Sequence, residues 1–308
     1  MPHLLSAGEL DRERIEALLG TAAEFRAGGG PRHPDALIGL VFFEESLRTR
    51  VGFDAAAARL RARTKTIDAA KHTAAMGSPE SMAASVRSIA GWCDVLCLRH
   101  AEADAVASAA ALTTTPVVNC GNGQDEHPTQ ALVDLFAIEV LRGAVDGLRI
   151  AMVGDLHAMR ATHSLALVLA RFSAIAVRCI APAGLELPER FARPLRDAGH
   201  ELTQTTEMEV DDVDVLYVAG MPAPTRIGML DTATQARYHV NLQVARRLRA
   251  GAHILSPLPR VHEIAPEVDA LEPAAYFRQS TLGLGMRMAI LDEALSGVRD
   301  APRPGSAR

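Results

Sequence analysis

The chain has 308 residues, of which 48% are hydrophobic and 22% charged, with a formal net charge of −5. That length accommodates two domains with cores of their own, and the composition is that of a folded globular protein. The negative balance argues against a protein that coats nucleic acid or lies on a membrane surface, and no apolar run reaches membrane-spanning length. The N-terminus, Met1-Pro2-His3-Leu4-Leu5-Ser6, lacks the basic start and apolar run of a signal peptide, so a cytoplasmic location is expected. Cys93, Cys97, Cys120 and Cys179 suit a reducing compartment. Cys93 and Cys97, with His100 nearby, match no zinc spacing and are read as buried thiols.

Leu5 to Arg26 reads as one amphipathic helix capped by Ser6, with Leu10, Ile15, Leu18, Leu19 and Ala22 at helical spacing. Gly28-Gly29-Gly30 precede a strand and therefore form a loop rather than a phosphate cradle. Ile38 to Phe42 is a buried strand that turns, at Ser46-Leu47-Arg48-Thr49-Arg50, into a helix from Val51 to about Ala62. The first turn of a helix has backbone N–H groups without intrahelical partners and a partial positive charge. With Ser46, Arg48 and Thr49 beside it, that turn is suited to phosphate. The same residues also read as an ordinary N-cap followed by two solvated arginines.

Lys65 to Asp68 is a short parallel strand, followed by a loop from Ala69 to Pro79 and a helix from Glu80 to Ala90. Asp94 to Arg99 is a strand, Ala101 to Ala111 a helix, and Pro116 to Asn119 a strand. A loop then reaches His127-Pro128-Thr129-Gln130, where a helix to about Arg142 begins. Strands alternating with helices predict an α/β domain with a mainly parallel sheet. In such sheets ligands sit beyond the carboxyl ends of the strands. Arg48, Arg99 and His127 each follow a strand and can converge there. Taken singly, Arg99 reads equally as a surface charge and His127 as a histidine satisfied near a helix start.

The second half repeats the alternation. Leu148 to Val153 is a strand, and Gly154-Asp155-Leu156 leads to a helix through about Phe172 that Arg160 opens. Ala174 to Ile180, Glu201 to Thr203 and Val213 to Val218 are strands. Gly220-Met221-Pro222 starts a loop that contains Arg226, Ile254-Leu255 runs into Ser256-Pro257-Leu258-Pro259-Arg260, and a helix spans about Thr281 to Leu295. A dinucleotide site is excluded at Gly154, because the glycine-rich fingerprint of that site is reduced to a single glycine followed by Asp155.

Five separated motifs together resemble the aspartate/ornithine carbamoyltransferase family, and most closely its aspartate branch. They are Ser46-Leu47-Arg48-Thr49-Arg50, Arg99-His100, His127-Pro128-Thr129-Gln130 with Leu132-Val133-Asp134-Leu135-Phe136, Val153-Gly154-Asp155-Leu156 with Arg160, and Pro257-Leu258-Pro259-Arg260. The resemblance covers nearly the whole chain. It implies two α/β domains with the active site in the cleft between them: residues 1–135 for carbamoyl phosphate and 136–280 for the acceptor amine. A C-terminal helix at about 281–298 would pack back onto the first domain, and 299–308 would form a disordered tail. It also implies a homotrimer with sites at subunit interfaces, and no metal or organic cofactor. By the same resemblance Ser46, the Leu47 N–H, Arg48 and Thr49 would hold the phosphate. Arg99 would bridge phosphate and carbonyl oxygen, and His127 would donate to that oxygen. Gln130 with the Pro257 and Leu258 carbonyls would orient the carbamoyl NH2, and Arg160 would grip the α-carboxylate of the acceptor.

Three departures from the family pattern stand out. Leu47 replaces a threonine, a loss of one hydroxyl worth roughly 1 kcal/mol. The loop Met76-Gly77-Ser78-Pro79-Glu80-Ser81 lacks the lysine that the aspartate branch supplies to a neighbouring subunit's phosphate. Gly220-Met221-Pro222 stands where that branch has Arg-x-Gln for the acceptor's side-chain carboxylate, with Met221 and a displaced Arg226 as the remaining candidates. The expectation is therefore a carbamoyltransferase whose acceptor is a carboxylate-bearing amine other than L-aspartate. The alternatives are an ordinary aspartate carbamoyltransferase of pyrimidine synthesis and a non-catalytic assembly partner.

Overall fold

A computed structural model describes residues 3–68, 82–221 and 232–299. The chain divides into two compact units, one running to Thr129 and resuming at Gly283, the other comprising Gln130–Leu282. Expectations that fall on residues 69–81, 222–231 and 300–308 lie outside the described residues; these include the Met76 to Ser81 loop, Arg226 and most of the C-terminal tail.

In the first unit, β1 (Leu37–Phe42), β2 (Arg63–Asp68), β3 (Val95–His100) and β4 (Val117–Asn122) form a parallel sheet in the order β2-β1-β3-β4. The central strands are continuous apolar runs, as a sheet covered on both faces requires. Val41, Leu96, Leu98 and Val117 pack there with Val86 of α3 (Met82–Ala90) and with Val106 and Ala109 of α4 (Ala105–Ala110).

The N-terminal segment is not one helix. Ser6 caps a 3-10 turn over Ala7–Glu9, and Asp11 then caps α1 (Arg12–Arg26) by accepting from the Arg14 N–H. Before the turn, Leu4 donates to the Val117 carbonyl and accepts from the Asn119 N–H. That backbone pairing along β4 keeps the first residues out of the helix. The helix after β1, α2, also differs from expectation: it spans Leu47–Arg59 and so begins directly after Ser46. The last helix of the chain runs Tyr276–Arg299. Its unit-one portion is fixed by a 2.8 Å Arg14–Glu293 ion pair and a 2.7 Å His33–Asp292 contact.

In the second unit, β5 (Arg149–Val153), β6 (Ala176–Ile180), β7 (Glu201–Thr205), β8 (Val215–Val218) and β9 (His253–Leu255) form a parallel sheet in the order β7-β6-β5-β8-β9. Helix α5 (Pro128–Arg142) leads into this unit, and α6 (Arg160–Leu169) follows β5. A helix over Glu189–Asp197 went unread in the sequence because Pro194 sits inside it. It forms nonetheless because Phe191, Ala192 and Leu195 bury one face, and that burial outweighs a lost backbone hydrogen bond.

Cys97, Cys120 and Cys179 are buried in the core. Burial pushes the Cys179 pKa up to about 12, and burial beside Cys120 pushes Cys97 well above its ordinary value. Cys93 is only half-buried and lies just before β3 rather than in it. Among the described residues no helix is long and apolar enough to cross a membrane.

Candidate active site

Both sheets reverse their strand order at one point, between β1 and β3 in the first unit and between β5 and β8 in the second. Connections leave such a point in opposite directions, which opens a crevice at the carboxyl ends of the two strands. Ser46, Arg48 and Thr49 follow β1, Arg99 lies at the end of β3, and His127 follows β4. Arg160 follows β5, Met221 follows β8, and Pro257 and Leu258 follow β9.

In the first unit Phe42 pairs with Arg99, so the ends of β1 and β3 are level. Ser46 sits at the N-cap of α2 in extended conformation, and its side chain makes no capping hydrogen bond. The Ser46 hydroxyl is thus not tied to the helix, in contrast to the ordinary-cap reading of the sequence. Leu47 projects outward at 69% exposure, so its contribution to an anion site is its backbone N–H. Arg48 also lies on the exposed side of the turn, and desolvation by neighbouring chain pulls its pKa below the ordinary value. A dianion arriving there would relieve that cost.

Thr49 is buried, and its Oγ1 lies 3.4 Å from His127 Nε2. His127, buried in turn, has Nδ1 3.2 Å from Thr129 Oγ1. The imidazole is therefore held between two hydroxyls. Arg99 is buried, donates from Nη1 to the Cys120 carbonyl at 3.3 Å, and has its Nε 3.1 Å from Glu44 Oε2. Glu44 was not singled out in the sequence, although it lies two residues before Ser46. It holds the guanidinium at the mouth of the strand pair. Ser46, Arg48, Thr49, Arg99 and His127 thus share one end of one sheet.

In the second unit Val153 pairs with Val218 and Tyr217 with Leu255, which aligns the ends of β5, β8 and β9. After β5, Gly154 adopts φ +130°, and the next residue donates its N–H to the Gly220 carbonyl at 2.9 Å. A Cβ on Gly154 would lie 2.3 Å from that oxygen, so the two turns meet only because position 154 is glycine. Asp155 Oδ1 accepts from the His157 and Ala158 N–H groups, closing the turn that delivers Arg160 to the start of α6. After β8, the Met221 N–H donates to Glu263 Oε1 at 3.2 Å. After β9, the Leu258 N–H donates to Ser256 Oγ at 3.2 Å, and Leu258 has φ +53°, a region that non-glycine residues occupy at a cost.

Gln130 enters the same unit from α5. Its Nε2 donates to Asp134 Oδ1 at 2.6 Å. Asp134 belongs to one of the five motifs but had no role assigned from sequence, and its hydrogen bonds with Tyr217 and Gln279 went unread. One signal was present: Asp134 is a single acid among Leu132, Val133, Leu135 and Phe136, four residues after Gln130 on the same helical face.

Two compact units, each built on a parallel sheet with a strand-order switch point, make this a two-domain α/β protein. Comparison with known proteins gives it a family. The aspartate/ornithine carbamoyltransferase, carbamoyl-P binding domain model matches residues 2–140, and the Asp/Orn binding domain model matches residues 146–293. The chain belongs to the aspartate/ornithine carbamoyltransferase family and is a carbamoyltransferase. It is 38% identical over 305 residues to the aspartate carbamoyltransferase catalytic subunit of Haloquadratum walsbyi, covering 96% of this chain and 99% of that one. For the Methanopyrus kandleri catalytic subunit the identity is 37% over 305 residues, covering 96% and 97%. Among solved structures, the catalytic subunit of M. jannaschii aspartate transcarbamoylase superposes with a TM-score of 0.88 at 31% identity, covering 98% of this chain and 100% of that one. The Trypanosoma cruzi enzyme in complex with N-(phosphonacetyl)-L-aspartic acid gives 0.87 at 32% identity, covering 94% of each chain.

Proposed function

We propose that this chain transfers the carbamoyl group of carbamoyl phosphate to the α-amino group of L-aspartate, forming N-carbamoyl-L-aspartate and phosphate. The observation that carries the proposal is the cluster of Ser46, Thr49, Arg99 and His127 at the β1/β3 switch point, in a chain of which 96% aligns with an aspartate carbamoyltransferase catalytic subunit. In this scheme the phosphate rests on the N–H groups of the first turn of α2, with Ser46 and Thr49 as hydroxyl donors and Arg48 as counter-charge. Arg99, released from Glu44, bridges phosphate and carbonyl oxygen. His127 donates to that oxygen as it gains charge, and Gln130 with the Pro257 and Leu258 carbonyls orients the NH2. The amine nitrogen attacks the carbamoyl carbon, the bond from carbon to phosphate oxygen breaks, and the departing phosphate takes the amine proton. Arg160 binds the α-carboxylate. A homotrimer, the assembly implied by the family resemblance, belongs to the same proposal; light scattering at the mass of three chains supports it and at the mass of one overturns it.

A different acceptor was the first expectation from sequence, and the relatives above favour aspartate instead. One observation keeps the second acceptor class in view. Gly220, where the aspartate branch has the arginine of its Arg-x-Gln, has φ +87°, a backbone conformation strained for side-chain-bearing residues. A product assay with a panel of amino acids separates the two. L-Aspartate giving the highest kcat/KM supports the proposal. Turnover of another carboxylate-bearing amine at more than about tenfold higher kcat/KM overturns it in favour of the altered acceptor.

A further inference from the structure

The Asp134 carboxylate is fully buried and accepts three side-chain hydrogen bonds, each of 2.6 Å. Gln130 Nε2 and Gln279 Nε2 both donate to Oδ1, and the Tyr217 hydroxyl donates to Oδ2. Gln279 is oriented independently, because its Oε1 accepts the backbone N–H of Ser256 at 2.9 Å. A backbone N–H can only donate, so the direction of the chain is set at that end. Gln279 must present its NH2 to Asp134, and Oδ1 must be an acceptor. Gln130 beside it must likewise present its NH2 inward.

We propose that Asp134 is a positioning residue that locks the Gln130 amide with its carbonyl oxygen as the atom offered to substrate, and thereby makes the site select an acyl phosphate that carries NH2. The inference rests on the carbamoyl-phosphate reading above. A carboxamide can offer an acceptor or a donor by turning through half a circle about its terminal bond. Facing the carbamoyl NH2, the acceptor orientation forms a hydrogen bond, whereas the other sets two donors against each other. The same carboxylate, through Gln279 and Ser256, also fixes the strand end from which Leu258 emerges, with the Leu258 N–H on Ser256 Oγ. Gln130 and the segment that carries the Pro257 and Leu258 carbonyls are thus both referred to one buried group.

The test compares binding of carbamoyl phosphate with acetyl phosphate, which replaces the NH2 by a methyl group, and with inorganic phosphate. It uses the full chain and its Asp134→Asn, Asp134→Leu and Tyr217→Phe variants. The wild type prefers carbamoyl over acetyl phosphate. Asp134→Leu removes the acceptor, and its preference falls about tenfold while inorganic phosphate binding is unchanged. Asp134→Asn retains the preference, because Tyr217 can accept from the new amide and leave an oxygen facing both glutamines. Tyr217→Phe lowers thermal stability without changing the preference, which separates positioning from mere support.

An Asp134→Leu variant that folds and keeps the wild-type preference overturns the inference. A wild-type chain that binds no carbamoyl phosphate overturns the parent reading together with it, a distinguishable result. If Asp134→Leu does not fold, side-chain amide exchange in the wild type decides. Gln130 NH2 protons protected both in the free enzyme and with phosphonoacetamide bound support the lock; loss of protection on binding overturns it.

Discussion

Arg99→Ala lowers kcat by about a thousandfold while shifting the melting temperature only slightly. In the proposed scheme Arg99 is the guanidinium of the first unit that bridges the phosphate and the carbonyl oxygen, where charge would grow during transfer. Removing a donor of that kind costs about 3–4 kcal/mol of transition-state stabilisation. Its partners include the Cys120 carbonyl at 3.3 Å and Glu44 at 3.1 Å. Glu44 is partly solvated and can rehydrate when the arginine is lost. Arg99→Lys rescues little, because an ammonium cannot reach two oxygens in a fork. Steady-state kinetics beside thermal melting check this, and a variant within tenfold of wild-type turnover would remove Arg99 from the chemistry.

Gly154→Ala destabilises the second unit by about 3 kcal/mol and weakens acceptor binding at least tenfold. The φ of +130° is strained for any side-chain-bearing residue, and the added Cβ would meet the Gly220 carbonyl at 2.3 Å. Relief requires the turns after β5 and β8 to separate, which breaks the 2.9 Å hydrogen bond from the Asp155 N–H to the Gly220 carbonyl. Arg160 and Met221 hang from those turns, so the acceptor side moves while the β1/β3 end does not. Denaturant unfolding and acceptor KM measure the two effects; unchanged stability would contradict the close approach of the two turns.

The α/β alternation and both parallel sheets were legible because apolar runs of strand length recur between turn residues. The proposed phosphate side rests on the expectation that Arg48, Arg99 and His127 converge beyond the strands. Ser46 and Arg48 follow β1, Arg99 lies at the end of β3 and His127 follows β4, so local order alone places them at one end of the sheet. The network behind Gln130 was not legible. Asp134 meets Tyr217 83 residues away and Gln279 145 residues away, and no local pattern encodes such partners. Gly220 was read as an absent arginine, and only the backbone reveals how its carbonyl and Gly154 interlock. Pro194 hid a helix that tertiary burial sustains, and Asp11 divided what periodicity joined into one N-terminal helix.

The most direct measurement of carbamoyl transfer follows the carbon. Carbamoyl phosphate labelled with 13C is incubated with the purified chain and L-aspartate, and the ureido region is observed by NMR. Enzyme-dependent growth of a labelled ureido carbon, matched mole for mole by phosphate and abolished in Arg99→Ala, is the predicted result. Label that disappears only at the rate of spontaneous breakdown, with L-aspartate and with every other amine in the panel, would contradict it and leave the non-catalytic assembly partner as the better description.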